Sequence, residues 1–226
     1  ITCLLIPIVT SPDLYSYIAY ARIGVIYHLN PLTTIPTAIH TDPVYIHLYW
    51  KGQPSAYGPT WIALTSFMQW FAIILGAKSI LSMVLGLRLL GLAAHLGSTL
   101  LIWSISGHLQ RLYGAISSEK RILATLAFAW NPLLLFEACV NAHNDATVLF
   151  LILLSIWFLV RRPLQTQLWN LLSATATLAI ATCLKLNVAL LFPGLLLFLW
   201  VQQPRNIPRI AATMATYGGI ILLLYA

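Results

Sequence analysis

Apolar runs separated by short polar breaks dominate the chain, at 1–10, 61–75, 79–105, 122–137, 146–160, 168–184, 188–201 and 210–226. The run 79–105 is long enough to cross a bilayer with tilt, whereas 61–75 is only about as long as a short or re-entrant segment needs to be. The stretch 11–59 breaks the pattern. It carries Asp13, Arg22, His28, Asp42, His47 and Lys51 together with seven tyrosines, and its turns are marked by Asn30-Pro31, Asp42-Pro43 and Gln53-Pro54. It is too polar to span and too aromatic for a free loop. Within it, residues 14–27 place apolar side chains at helical spacing, which predicts an amphipathic helix at the membrane interface. Tyrosine and tryptophan favour that depth because one end of each ring is apolar and the other is wet. The expected fold is all-α: a multi-pass transmembrane helical bundle with interfacial helices in a long first outer loop.

One transmembrane domain is expected over 1–226. An outer loop with amphipathic or re-entrant helices occupies 11–78, and transmembrane helices occupy 79–226. The chain opens at Ile1 inside one apolar run and stops at Ala226 inside another, with no signal-peptide pattern, so it reads as the N-terminal part of a longer protein.

Composition sharpens the membrane assignment. Hydrophobic residues make up 60% of the chain and charged ones only 8%, against roughly 25% charged in a soluble domain. Water could not solvate such a surface, and lipid can. The net charge of +7 does not point to nucleic acid, because the basic residues sit in short clusters between apolar runs rather than in a stripe interleaved with aromatics. These clusters are Arg111/Lys120/Arg121, Arg161/Arg162 and Arg205/Arg209. The positive-inside rule puts all three on the cytoplasmic side if 79–105 is the first crossing after the polar loop and 61–75 does not cross. The same parity gathers Asp13, Asp42, Glu137 and Asp145 on the opposite face. Cys3, Cys139 and Cys183 lie far apart in apolar company and form neither a metal-ligand pair nor a disulfide framework.

Carboxylates near bilayer depth are costly, by about 2.5–3.5 kcal/mol, and so mark candidate sites. Asp13 follows Pro12 and opens the 14–27 helix. It reads either as an N-cap satisfying backbone N–H groups or as a general base for an acceptor hydroxyl. Glu137, Asn141, His143, Asn144 and Asp145 crowd a short break between two apolar runs. They read either as a helix break capped by Asp145 or as a surface that binds hydroxyls or phosphate. Their spacing matches no zinc motif. Lys185 is either an interfacial lysine that snorkels or a charge that holds a phosphate. Arg88 and Arg22 either snorkel or pair with an acid. Tyr57-Gly58-Pro59-Thr60-Trp61 marks a turn that feeds a helix with proline near its first position. Asn131-Pro132 is a turn or kink signal. The chain carries no glycine-rich phosphate loop, no Gly-x-Ser-x-Gly elbow and no His-Glu-x-x-His, which disfavours ATPases, serine hydrolases and zinc proteases.

Asp13-Leu14-Tyr15-Ser16-Tyr17, Asn30-Pro31, Tyr57-Gly58-Pro59-Thr60-Trp61, Asn131-Pro132 through Glu137, and Asn141-Ala142-His143-Asn144-Asp145 follow one another in an order that resembles the glycosyltransferase C superfamily. The nearest likeness within it is to bacterial polyprenol-phosphate-mannose-dependent α-1,6-mannosyltransferases. The resemblance implies an inverting glycosyltransferase of the bacterial plasma membrane. Such an enzyme moves mannose or another hexose from a lipid-linked, polyprenyl-phosphate donor to a glycan or lipid-linked acceptor, on the non-cytoplasmic face. It implies Asp13 and Asp145 as catalytic acids. Tyr17, Arg22, Tyr57, Glu137, Asn141, His143 and Lys185 are then expected to contact substrate, with Lys185 near the donor phosphate. No cofactor or metal is expected, with room for a divalent cation. The partners are the two substrates and membrane lipid, without nucleic acid. The competing reading is a secondary transporter or flippase for a polar or lipid-linked solute, which inverted repeats and paired broken helices would favour. One broken helix region and no internal symmetry are visible.

Overall fold

A computed structural model describes residues 6, 11–114, 117–161, 168–202 and 206–226. Cys3, Arg162, Arg205 and nearly all of the run 1–10 lie outside the described residues. The described chain is helical throughout, without a strand: α1 (Asp13–Val25), α2 (Pro59–Ile74), α3 (Ile80–Tyr113), α4 (Ser118–Ala129), α5 (Pro132–Cys139), α6 (Asp145–Val160), α7 (Leu168–Thr182), α8 (Leu191–Gln202) and α9 (Ile207–Tyr225), with short 3-10 turns at Pro36–Ile39, Pro43–His47 and Leu186–Leu190. Two of these helices are long and apolar enough to cross a membrane, Ile80–Leu112 and Ile207–Tyr225, or three if Ser118–Ala129 and Pro132–Cys139 form one broken span. The runs expected at 61–75, 146–160, 168–184 and 188–201 are apolar helices of 10–17 residues, shorter than the roughly 20 residues an upright crossing takes.

The polypeptide divides into two compact units: Ile1–His95 with Asn131–Thr147, and Leu96–Trp130 with Val148–Ala226. The division falls within α3, whose residues up to His95 belong to the first unit and those from Leu96 to the second.

In the first unit, α1 is a core helix. Leu14, Ser16, Tyr17, Ile18, Ala19, Tyr20, Ala21 and Ile23 are buried, and the consecutive positions 16–21 cover every azimuth of the helix. The predicted one-sided apolar face is therefore replaced by enclosure on all sides. α2 and the two 3-10 turns supply much of that enclosure. Tyr15 stacks on His47 with ring centroids 4.7 Å apart. The expected Tyr57-Gly58-Pro59 start of α2 is present, with Gly58 at the N-cap and Pro59 at the first position, where its missing N–H costs nothing. α2 buries Trp61, Ile62, Thr65 and Gln69. It leaves Phe67, Trp70, Phe71 and Ile74 exposed, a stripe at i, i+3, i+4 and i+7 suited to lipid. Asn131 caps α5 by accepting from the N–H groups of Leu133 and Leu134 at 3.0 and 3.2 Å.

In the second unit, polar side chains tie the apolar helices together. Ser155 donates to the Ala174 carbonyl at 2.8 Å, joining α6 to α7. Trp157 Nε1 donates to Ser104 Oγ at 2.9 Å, joining α6 to α3. Thr182 shares a 2.8 Å hydroxyl contact with Tyr217 of α9, whose ring stacks on Phe192 at 3.7 Å. Three basic side chains of this unit gather around His108. Arg111, Arg121 and Arg161 all lie close enough to His108 to act on it electrostatically, and Arg121 sits 3.5 Å over the Trp103 ring. Four of the five acids, Asp13, Asp42, Glu137 and Asp145, fall in the first unit and Glu119 in the second.

Candidate active site

The first turn of α1 sets the site. Asp13 is the first helical residue, the N-cap is Pro12, and no side-chain capping bond is made there. Of the two readings of Asp13, capping is thereby removed. Among the described residues its carboxylate makes no hydrogen bond or ion pair; only its backbone N–H is engaged, by Ser11 Oγ at 3.3 Å. Asp13, Ser16, Tyr17 and Tyr20 follow at i, i+3, i+4 and i+7, one polar face on an otherwise apolar helix.

That face meets two other segments. The Tyr17 ring lies edge-on to Tyr57 and Trp61, with centroids 4.7 and 5.0 Å away. Its hydroxyl is buried, and no group around it meets hydrogen-bond geometry. Burial drives the Tyr17 hydroxyl well above its ordinary value of 10.0. The neighbouring Tyr57 and Asp13 add to this, and the Asn144 backbone opposes it. Tyr57 is raised in the same direction, first by burial, then by Asp13, Tyr20 and Asp145, against a lowering contact with Tyr17. Both phenols therefore stay protonated at any physiological pH and serve as hydrogen-bond donors. Tyr57 thus lies within electrostatic reach of both Asp13 and Asp145, two acids distant in sequence.

The segment after α5 supplies the rest. The chain reverses between Cys139 and Asp145 through Ala142, whose φ of +53° is unusual for a residue with a side chain and costs about 1–3 kcal/mol. The reversal brings Asn141 Nδ2 to Glu137 Oε2 at 3.1 Å and His143 Nε2 to the same oxygen at 3.6 Å. Glu137 thus orients both neighbours. Arg88 of α3, 4% exposed, donates from Nε to the Val140 carbonyl at 2.9 Å and holds the reversal from below. Asn144 is buried, and its Nδ2 has no partner among the described residues. Asp145 is exposed.

Asp13, Tyr17, Tyr57, Glu137, Asn141, His143 and Asp145 therefore belong to one unit. Arg22 and Lys185 are placed differently. The Arg22 guanidinium is committed to Asp42: Nε reaches both carboxylate oxygens at 2.9 Å and Nη2 reaches Oδ2 at 2.8 Å. Asp42 also accepts from Tyr27 Oη at 3.0 Å and Val44 N–H at 2.9 Å. This is a structural clasp between α1 and the following loop, not a contact open to substrate. Lys185 belongs to the second unit, in the extended residue before the 3-10 turn Leu186–Leu190. No group of three or more His, Cys, Asp or Glu side chains suited to a metal occurs among the described residues.

A cleft of about 270 Å³ opens beside Asp13. Ser16, Tyr20, Trp50, Gln53 and Tyr57 line it, and of these only Tyr57 is an expected site residue. The signal that could have found Ser16 and Tyr20 is their i+3 and i+7 spacing from Asp13. Nothing in the spacing marked Trp50 or Gln53, which arrive through a hydrogen bond from Tyr20 Oη to the Gln53 carbonyl at 3.0 Å.

A carboxylate with no hydrogen bond or ion pair among the described residues, phenols raised by burial and a half-exposed indole line one cleft in a chain whose helices include two or three long and apolar enough to cross a membrane. Residues 2–202 match the family model described as alpha-(1->6)-mannopyranosyltransferase, N-terminal domain, and the chain belongs to that family. It is 28% identical over 184 residues to an alpha-(1->6)-mannopyranosyltransferase of Mycobacterium tuberculosis (strain ATCC 25618 / H37Rv), covering 76% of this chain and 29% of that protein. The chain thus spans about three-tenths of the length of the curated relative it matches. No solved structure matches it.

Proposed function

We propose that this chain carries the catalytic acids of an inverting mannosyltransferase, or transferase of a related hexose, that draws on a polyprenyl-phosphate donor at the non-cytoplasmic membrane face. The observation that carries the reading is the Asp13 carboxylate, which opens into a cleft and is spent on neither a cap nor an ion pair among the described residues. An acceptor hydroxyl needs such a base. Its proton passes to Asp13 as its oxygen bonds the sugar's anomeric carbon. The bond from that carbon to the phosphate breaks, and the electron pair leaves with the polyprenyl phosphate. One displacement inverts the centre. The phosphate is a good leaving group and calls for a cation rather than an acid. His143, oriented by Glu137, is assigned to contact that phosphate from this unit. Tyr17 and Tyr57 donate to sugar oxygens, and Asp145 shares the acidic site through Tyr57.

The test is Asp13→Asn in the full-length protein, assayed for mannose transfer from a polyprenyl-phosphate donor. Turnover is expected to fall by about 10²–10⁴-fold. Full retention of activity removes Asp13 from the reaction.

A further inference from the structure

The cleft beside Asp13 has a chemistry more specific than that of a generic site. Among the described residues, no lysine, arginine or histidine lines it. Two oxygen-bearing groups in its wall lack hydrogen-bond partners among the described residues: the Asp13 carboxylate, and Ser16 Oγ, which is buried with its residue 3% exposed. Trp50 stands at its edge 49% exposed, steadied by an edge-on contact with Tyr49 at 4.9 Å. On the far side the Tyr57 hydroxyl is held protonated by burial and by Asp13. The volume of about 270 Å³ falls just short of the roughly 300–1,000 Å³ of sites for drug-sized ligands, and suits a single small ring.

These features select among ligands. A buried unmet hydroxyl beside a half-exposed carboxylate asks for a ligand rich in hydroxyls. A half-exposed indole offers a flat apolar face to a ring with C–H groups on one side. A phosphate is disfavoured, because an unpaired carboxylate lies in the wall with no cation to offset it. The ligand that satisfies all three conditions is a neutral pyranose.

Two sugars are present in a transfer reaction, and the cleft distinguishes them. The donor sugar carries its phosphate on the reacting carbon, so seating it here would bring an anion close to Asp13. The acceptor sugar brings only a hydroxyl, which is what Asp13 must deprotonate. Resting on the transferase reading above, we propose that this cleft is the acceptor-sugar subsite, with Trp50 as its stacking platform and Ser16 as a hydroxyl contact in its wall. Trp50 and Ser16 are then specificity residues for the acceptor rather than for the lipid donor.

The experiment uses the full-length protein with Trp50→Ala, Trp50→Phe and Ser16→Ala. An alkyl α-mannoside serves as acceptor probe and a short-chain polyprenyl-phosphomannose as donor. Trp50→Ala is expected to raise the acceptor KM by roughly 3- to 10-fold and to leave the donor KM within about twofold. Trp50→Phe recovers most of the loss, and Ser16→Ala shifts the same constant. A rise in donor KM with acceptor KM unchanged assigns the cleft to the donor sugar and overturns the proposal. No change in either constant shows that no sugar stacks there, which also overturns it. Equilibrium binding of the alkyl mannoside to Asp13→Asn protein, with and without Trp50→Ala, keeps this test separate from the transferase reading. Binding lost with Trp50 supports the subsite even where turnover is absent. Full transfer by Asp13→Asn defeats the catalytic assignment alone.

Discussion

Arg22 was expected at the substrate, yet it closes a clasp on Asp42, and the two roles make opposite predictions. The Asp42 side chain is 1% exposed and that of Arg22 11%. The acid is met by both guanidinium contacts, the Tyr27 hydroxyl and the Val44 N–H. Arg22→Ala leaves a buried carboxylate with only the last two. Breaking a buried pair from one side costs about 3–5 kcal/mol, a large part of the roughly 5–15 kcal/mol that holds a typical domain folded. Replacing both partners by Arg22→Met and Asp42→Leu removes two desolvated charges together and is expected to recover most of that loss. The assay is the thermal midpoint of the full-length protein in detergent, followed by fluorescence-detected gel filtration, with turnover per folded molecule measured alongside. Arg22→Ala should lower the midpoint strongly, the double variant should restore much of it, and turnover per folded molecule should stay near wild type. An unchanged midpoint with a raised substrate KM would return Arg22 to the binding site and refute the clasp.

The same pair predicts an acid limit. Burial works to raise Asp42, but Arg22, Val44 and Tyr27 outweigh it and hold the folded carboxyl below its ordinary 3.8. A depressed folded value contributes stability that is present above about 3.8 and is lost as pH falls through the folded value. The midpoint should therefore decline with acid below about pH 4 in wild type, and less steeply in Asp42→Asn; equal slopes would exclude the pair as the cause. A second prediction concerns Gly91 of α3, where an added Cβ would run into the Ala138 carbonyl. Gly91→Ala should cost about 1–3 kcal/mol by overpacking despite the better helix propensity of alanine. Gly218→Ala in α9, with nothing nearby, should be neutral or stabilising. Equal folded yields for the two variants would show that α3 and α5 are not in close contact.

How much of this was legible in the sequence depends on which forces write themselves locally. The helices were readable because apolar runs bounded by proline, asparagine and charge encode their own ends. Asn131-Pro132 caps α5 as its residue types predict, and Gly58-Pro59 opens α2. What local spacing could not convey is enclosure. The 14–27 segment has the composition of a surface helix, but the loop between it and α2 wraps over it, and that wrapping depends on a long-range ion pair, Arg22 to Asp42, twenty residues apart. Trp50 stayed hidden for the same reason. It reaches the site only because the clasp and the Tyr20–Gln53 hydrogen bond fold the loop back over the first turn of α1. Asp13 shows the converse. Both of its readings were compatible with its neighbours, and the geometry removes the capping one, because Pro12 takes the cap position and no side-chain cap bond is made. The residues that local pattern could identify are thus those whose role is set by backbone termini or by charge, whereas those that shape the cleft owe their place to contacts made across the loop.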